Sequence, residues 1–303
     1  MAVTAAMVKE LREMTGAGMM DCKKALSNTD GDMDKAVEYL RENGMAKAAK
    51  KAGRIAAEGI VKVVTEGNKA AIVEVNSETD FVAKNADFNA YVEEVAQQAL
   101  NTKATDIDAF LAESWTKDTS KTVADVLAGQ VAIIGENLKI RRFAQVEESN
   151  GFIASYIHMG GKIGVLVDVE TDVVNSAIEE MAKNVAMQAA ALKPMYTNRS
   201  EVDPEYIAKE TEIITATAKN EKPDANDKII EGMVKGRLNK ELKEICLLDQ
   251  TYVKAEDGKQ SVSAYVAEVA KANNANITIK GFVRFETGEG IEKKNEDFAA
   301  EVA

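Results

Sequence analysis

Three features of the sequence predict an α+β fold built in several parts. The first fifty residues carry only helical patterning. From Ile55 the pattern turns to alternating β-branched runs. Residues 59 to 100 then recur without a gap at 151 to 192, with ten of 42 positions identical. The division that follows is a three-helix domain over 1–54, a first core subdomain over 55–148, a second over 149–280 with an insertion at about 196–245, and a C-terminal module over 281–303.

In the first part, Thr4 is placed to cap a helix carrying Ala5, Val8, Leu11 and Arg12 at helical spacing. "TGAG" (Thr15 to Gly18) breaks the pattern, and a second helix follows from about Met19 with Cys22 and Leu26 on one face. "NTDGD" turns the chain, Asp32 caps a third helix with Met33, Ala36, Val37 and Leu40, and Gly44 is expected to end it. The basic run "KAAKKAGR" reads as a solvated segment closing the helical region.

"GIVKVV" and "AAIVEV", joined by "TEGNKA", read as a hairpin. One helix is expected from Val82 to Leu100, with Phe88, Val92, Val95 and Ala96 facing one way. The repeat sets Thr79 on Thr171, Asp80 on Asp172 and Phe81 on Val173. The Thr-Asp pair thus recurs and the aromatic does not. A core role and a role in contact both remain open for Phe81.

Pro194, Pro204 and Pro223 follow the second copy. Apolar residues at Ile207, Ile213 and Ile214, and then at Ile230, Met233, Val234, Leu238, Leu242 and Ile245, describe two helices separated by "KNEKPDAND". An antiparallel coiled-coil hairpin and two helices packed on the core are both consistent with that stripe. "ITIKGFVRFETGEGIEKK" reads as a strand with a Gly-rich turn, and "EDFAAEVA" as a short helical tail.

Composition narrows the function. The net charge of −12 argues against a broad nucleic-acid footprint. The N-terminal stretch lacks the basic start and long apolar core of a signal peptide, and no apolar run approaches the ~20 residues that span a bilayer, so a cytoplasmic location is expected. Cys22 and Cys246 have no metal or redox spacing and read as buried thiols. A single histidine, His158, and no nucleophile elbow leave little room for the familiar triads or for a His/Cys metal site. "GEG" lacks the spacing of a phosphate loop. A binding protein without metal or cofactor is the better class, with a protein–protein adaptor as the alternative.

The segments "LREMTGAGMMDCKKAL", "KAAKKAGRIAAEG", "EVNSETDFVAKN", "IGENLKIRR", "SYIHMGGKIGVLV" and "GFVRFETGEGIEK" occur in order along nearly the whole chain. Together they resemble the bacterial elongation factor Ts family. The resemblance implies a guanine-nucleotide exchange factor for elongation factor Tu, acting on its GDP-bound and nucleotide-free forms. It also implies a ubiquitin-associated-like first domain, two related core subdomains, a coiled-coil insertion and a C-terminal module. It assigns displacement of the partner's Mg²⁺ to Thr79, Asp80, Phe81 and Val82, further contacts to Ile134, Gly135 and His158, and docking to Met19, Met20, Asp21 and Lys23. The chain departs from the pattern at Met159, where a glycine commonly follows the histidine. Self-association through the coiled coil or the core stays open.

Overall fold

The computed structural model describes residues 3–292. The expected tail "EDFAAEVA" lies outside the described residues. Helices α1 (Ala5–Thr15), α2 (Met19–Asn28) and α3 (Met33–Lys51) enclose a small core of Val8, Leu11, Cys22, Ala25, Leu26 and Ala36. Thr4 and Asp32 cap α1 and α3 by accepting the Met7 and Lys35 N–H groups, donors that a helix start otherwise leaves unpaired.

Gly44 does not end α3. The helix runs through it to Lys51, and Gly44 is buried where a Cβ would stand 3.7 Å from the Ala132 Cβ and the Ala128 carbonyl oxygen. The missing side chain lets two helices meet closely. That contact outweighs the roughly 1 kcal/mol propensity cost of glycine, which is why a local reading mistakes it for a terminator. The basic run forms the last turn, with Lys50 and Lys51 at the negative end of the helix dipole.

Strands β1 (Glu58–Glu66) and β2 (Lys69–Ser77) pair antiparallel about a two-residue turn. Two helices then form in place of the expected one, α4 (Asp80–Ala83) and α5 (Ala86–Asn101). Asn85 separates them, because its side chain accepts the Asp87 and Phe88 N–H groups and starts a new helix. Phe88, Val92, Val95 and Ala96 lay α5 on the sheet. After α6 (Ile107–Ala112), the pair β3 (Ser114–Trp115) and β4 (Asp118–Thr122), and α7 (Val123–Ile134), strand β5 (Lys139–Glu147) joins β2 and completes a β1-β2-β5 sheet.

The second copy repeats this plan with β6 (Gly151–His158), β7 (Ile163–Thr171) and α8 (Ser176–Leu192). Helices α9 (Pro204–Glu221) and α10 (Asp227–Ile245) pack on each other, and Tyr196, Val202, Tyr206, Leu238, Leu242 and Cys246 fill their base. Ile213 and Ile229 remain exposed. Helix α11 (Val262–Ala272) returns the chain to β8 (Ile277–Glu286), giving a β6-β7-β8 sheet. The boundary expected between 280 and 281 falls inside β8.

The two copies do not correspond at one constant offset. Each middle strand is bulged against its third strand, at Glu74/Val75 in one and Asp168/Val169 in the other, an offset of 94. The helix caps Asn85 and Asn175 correspond at 90. The second hairpin loop, Met159 to Lys162, is two residues longer than Gly67–Asn68. The connection from strand to helix is four residues shorter. Ser77, whose hydroxyl donates to the Thr79 carbonyl at 3.0 Å, therefore matches Thr171, whose hydroxyl donates to the Val173 carbonyl at 3.0 Å. The gap-free pairing of Thr79 with Thr171 and Phe81 with Val173 is corrected accordingly. What the second copy lacks is the whole α4 turn.

Beside the second bulge, Asp168 lies with the buried Glu148 and with Lys280, whose ammonium is 3.2 Å from Glu148. Burial and the neighbouring Glu148 carboxylate push Asp168 up to about 6, whereas the Asn150 N–H holds Glu148 low. An Asp that binds its proton more tightly folded than unfolded contributes stability at low pH and loses it as pH rises through its folded pKa. Denaturation midpoints of the wild type should fall between about pH 4 and about pH 6 relative to Asp168→Asn, and parallel profiles across that window would show the carboxyl to be unperturbed.

Candidate functional site

Phe81 is 80% exposed, on the first turn of a helix only four residues long. So short a helix has almost no stability of its own. Its order comes from a reciprocal clamp across to the turn after α7. The Glu136 carboxylate accepts the Thr79 hydroxyl at 2.6 Å and the N–H groups of Glu78 and Thr79 at 3.1 and 3.0 Å. In return, Glu78 accepts the Asn137 N–H at 2.6 Å, while the Asn137 amide donates to the Arg54 carbonyl at 2.7 Å. Thr79 also caps α4 by accepting the Val82 N–H. Half-buried Val82 and buried Ala83 anchor the turn in the first core and leave Phe81 outside.

Asp80 plays a smaller part in shaping the turn than its place in the motif suggests. It is half-buried and pairs with Lys84 at 2.6 Å. The Lys84 ammonium bonded to it, with Lys162 adding at longer range, holds its carboxyl below the usual range.

Gly135 closes α7 at φ 87, in the left-handed region where glycine is favoured, and so swings Glu136 back towards Thr79. Ile134 is half-buried against the first core and Gly135 is exposed. The Lys51 ammonium bonds the Gly135 carbonyl, and Arg41 pairs with Asp125 at 2.6 Å, which ties α3 along α7. Burial alone would raise the Asp125 carboxyl; the Thr122 amide and hydroxyl and the Arg41 guanidinium outweigh it and hold it low.

From the second copy, half-buried His158 ends β6 with its Nδ1 2.9 Å from the Tyr156 hydroxyl. The loop that follows reaches the first copy: the Val61 N–H donates to the Gly161 carbonyl at 2.7 Å, and Lys162 pairs with Glu58 at 2.5 Å. In the N-terminal helices, Met19 and Met20 are 58% and 73% exposed, Lys23 is exposed, and Asp21 pairs with Lys47 at 2.9 Å.

Neither Glu136 nor Glu78 belongs to the residues that the resemblance singles out. Glu136 lies in the quoted "IGEN" segment, and a carboxylate directly after a helix-closing glycine was the available signal. No cluster of three or more potential metal ligands occurs among the described residues. No helix there is long and apolar enough to cross a membrane.

The fold and this site define an α+β protein that holds an apolar turn rigid and projects it outward. The sequence profile of the family described as Elongation factor TS matches residues 78–289. Elongation factor Ts of Clostridioides difficile (strain 630) is 56% identical over 303 residues, covering 99% of this chain and 98% of its own length. The Clostridium tetani protein of the same name is 52% identical, and that of Clostridium botulinum (strain Eklund 17B) 51%, at the same coverage. The chain belongs to the elongation factor Ts family, and thus to the factors of translation elongation.

If Glu136 orders the turn, Glu136→Ala should speed deuterium uptake over residues 78–84 by about tenfold or more and leave the core of α5 unchanged. Unaltered uptake over 78–84 would refute the clamp.

Proposed function

We propose that this chain is a guanine-nucleotide exchange factor that binds elongation factor Tu carrying GDP and speeds GDP release, so that GTP can load. The observation that carries this reading is Phe81, a large aromatic left almost wholly in water on a turn held by Glu136. An exposed aromatic on a pre-ordered backbone gains most when a partner desolvates it, and little rotational freedom is lost in the process. Phe81 acts as a wedge in an apolar gap of elongation factor Tu and shifts the elements that support its Mg²⁺. Thr79 and Val82 hold the wedge, and Asp80 contacts the partner at its edge. Ile134, Gly135 and His158 border the same contact.

Binding drives this chemistry without a catalytic residue. A factor that prefers the nucleotide-free partner weakens nucleotide binding by the same factor by which nucleotide weakens its own. Acceleration further requires a ternary complex from which GDP leaves faster. The ubiquitin-associated-like helices over 1–54, through Met19, Met20, Asp21 and Lys23, give affinity and orientation. The core subdomains, the first over 55–148 and the second from 149 through β8, build the wedge face, and the coiled-coil insertion near 196–245 extends it. The work belongs in the cytoplasm, and it calls on neither nucleic acid nor membrane.

Stopped-flow release of a fluorescent GDP analogue from elongation factor Tu tests the reading. Phe81→Ala should lower the saturating release rate by about tenfold, the scale of a hot-spot side chain, while remaining folded and bound. An unchanged rate would remove the wedge, and binding without acceleration by the wild type would make the chain an adaptor.

A further inference from the structure

Four residues other than glycine adopt positive φ among the described residues: Asp30, Met159, Lys193 and Asn274. Aspartate and asparagine tolerate this region because their short polar side chains bond locally. Lys193 closes α8 as its C-cap, and its ammonium pairs with Glu286. Met159, at φ 48, has no comparable reason, and its side chain is 74% exposed.

The loop around Met159 is firmly built. The His158 carbonyl accepts the N–H groups of Gly161 and Lys162 at 3.2 and 3.1 Å. Gly160 and Gly161 follow at φ 65 and 103, so the loop uses glycine at its next two left-handed positions. At Met159 the chain instead carries a long apolar side chain that leaves most of its surface in water. An unfavourable backbone state that the loop's hydrogen bonds hold in place, at a position where glycine would relieve it, points to a role outside the free fold. The position fits one. Lys162, three residues on, pairs with Glu58 at 2.5 Å, and Glu58 stands opposite Ser77, whose hydroxyl donates to the Thr79 carbonyl at the start of the turn that carries Phe81.

We infer that Met159 is a second apolar contact on the face that carries Phe81, and that it docks on an apolar patch of elongation factor Tu beside the gap that takes the aromatic ring. This rests on the exchange-factor reading above. The unbranched, polarisable thioether suits such a patch, because it adapts to an irregular surface. The two contacts come from different copies of the repeat, Phe81 from the strand–helix junction of the first and Met159 from the hairpin loop of the second. Phe81 acts on the release rate, and Met159 acts on affinity.

The test compares Met159→Gly, Met159→Ala and Met159→Leu with the wild type by calorimetric titration of nucleotide-free elongation factor Tu, GDP-analogue release and thermal denaturation. Gly and Ala should weaken binding by about tenfold, the effect of losing one buried apolar side chain, and Leu by about twofold at most. Saturating release should stay at the wild-type rate in all three. Gly alone relieves the backbone and should raise the melting temperature by about 2 °C. Wild-type affinity in Gly and Ala would overturn the contact even with exchange intact. Weakened binding in both, with no acceleration by the wild type, would keep the contact and overturn the exchange reading instead.

Discussion

The carboxylate of Glu74 is the interaction on which the arrangement of the two halves depends. It is wholly buried in β2, where it meets Arg141 at 3.0 Å and Arg142 at 2.6 Å from β5. It also accepts the Asn76 amide at 3.0 Å and the Gly288 N–H at 2.8 Å. An ion buried without partners costs several kcal/mol, so these donors must stay in place together. Gly288 belongs to the turn that follows β8, and a Cβ there would stand 2.1 Å from the Ala57 carbonyl oxygen. Arg142 in turn lies over the Phe285 ring at 4.2 Å. One carboxylate thus joins the first sheet to the last strand of the second. Val61 and Ile72 meet Leu166 and Phe285 in the apolar layer beside it.

This junction sets the neighbourhood of the projecting turn. With the sheets joined, the β6–β7 loop is held against β1, and its Gly161 carbonyl takes the Val61 N–H. Lys162 is carried to Glu58, which stands opposite Ser77 at the strand end that leads into the turn. The second bulge has its own ionic group in Asp168, Glu148 and Lys280. There Asp168, Glu148 and Glu170 lie beside the one ammonium of Lys280, whereas the buried Glu74 lies beside two guanidinium groups, Arg141 and Arg142. The copies share a backbone plan and differ in electrostatics at the same bulge.

Much of the fold was legible because local chemistry and tertiary structure agreed. Thr4 and Asp32 cap the helices they precede, and Gly67–Asn68 turns the hairpin expected around it. The reading failed where a distant contact decided the outcome. Gly44 looks like a helix end until Ala128 and Ala132 are seen against it, and no neighbouring residue carries that information. Asn85, by contrast, is a local signal, and the apolar pattern that continues across it masks its capping role. At the site, Phe81 is exposed, which removes the core role for it. The sequence offered no way to decide between core and surface, since both place an aromatic after a strand. Glu136 lies 57 residues from Thr79, so that bond follows from the path of α7 and from no local pattern.

The unequal spacing of the two copies has a consequence for how such a protein acquires new parts. An insertion in the middle of a strand would reverse which side chains face inward, and one in the middle of a helix would rotate everything after it. The junction between them tolerates extra length, because both flanking elements keep their own phase. One half of the repeat carries an additional helical turn there and the other a longer loop at the opposite end of its hairpin, and neither sheet is disturbed. Each half thus has two permissive seams, and the halves differ in which of them is the longer.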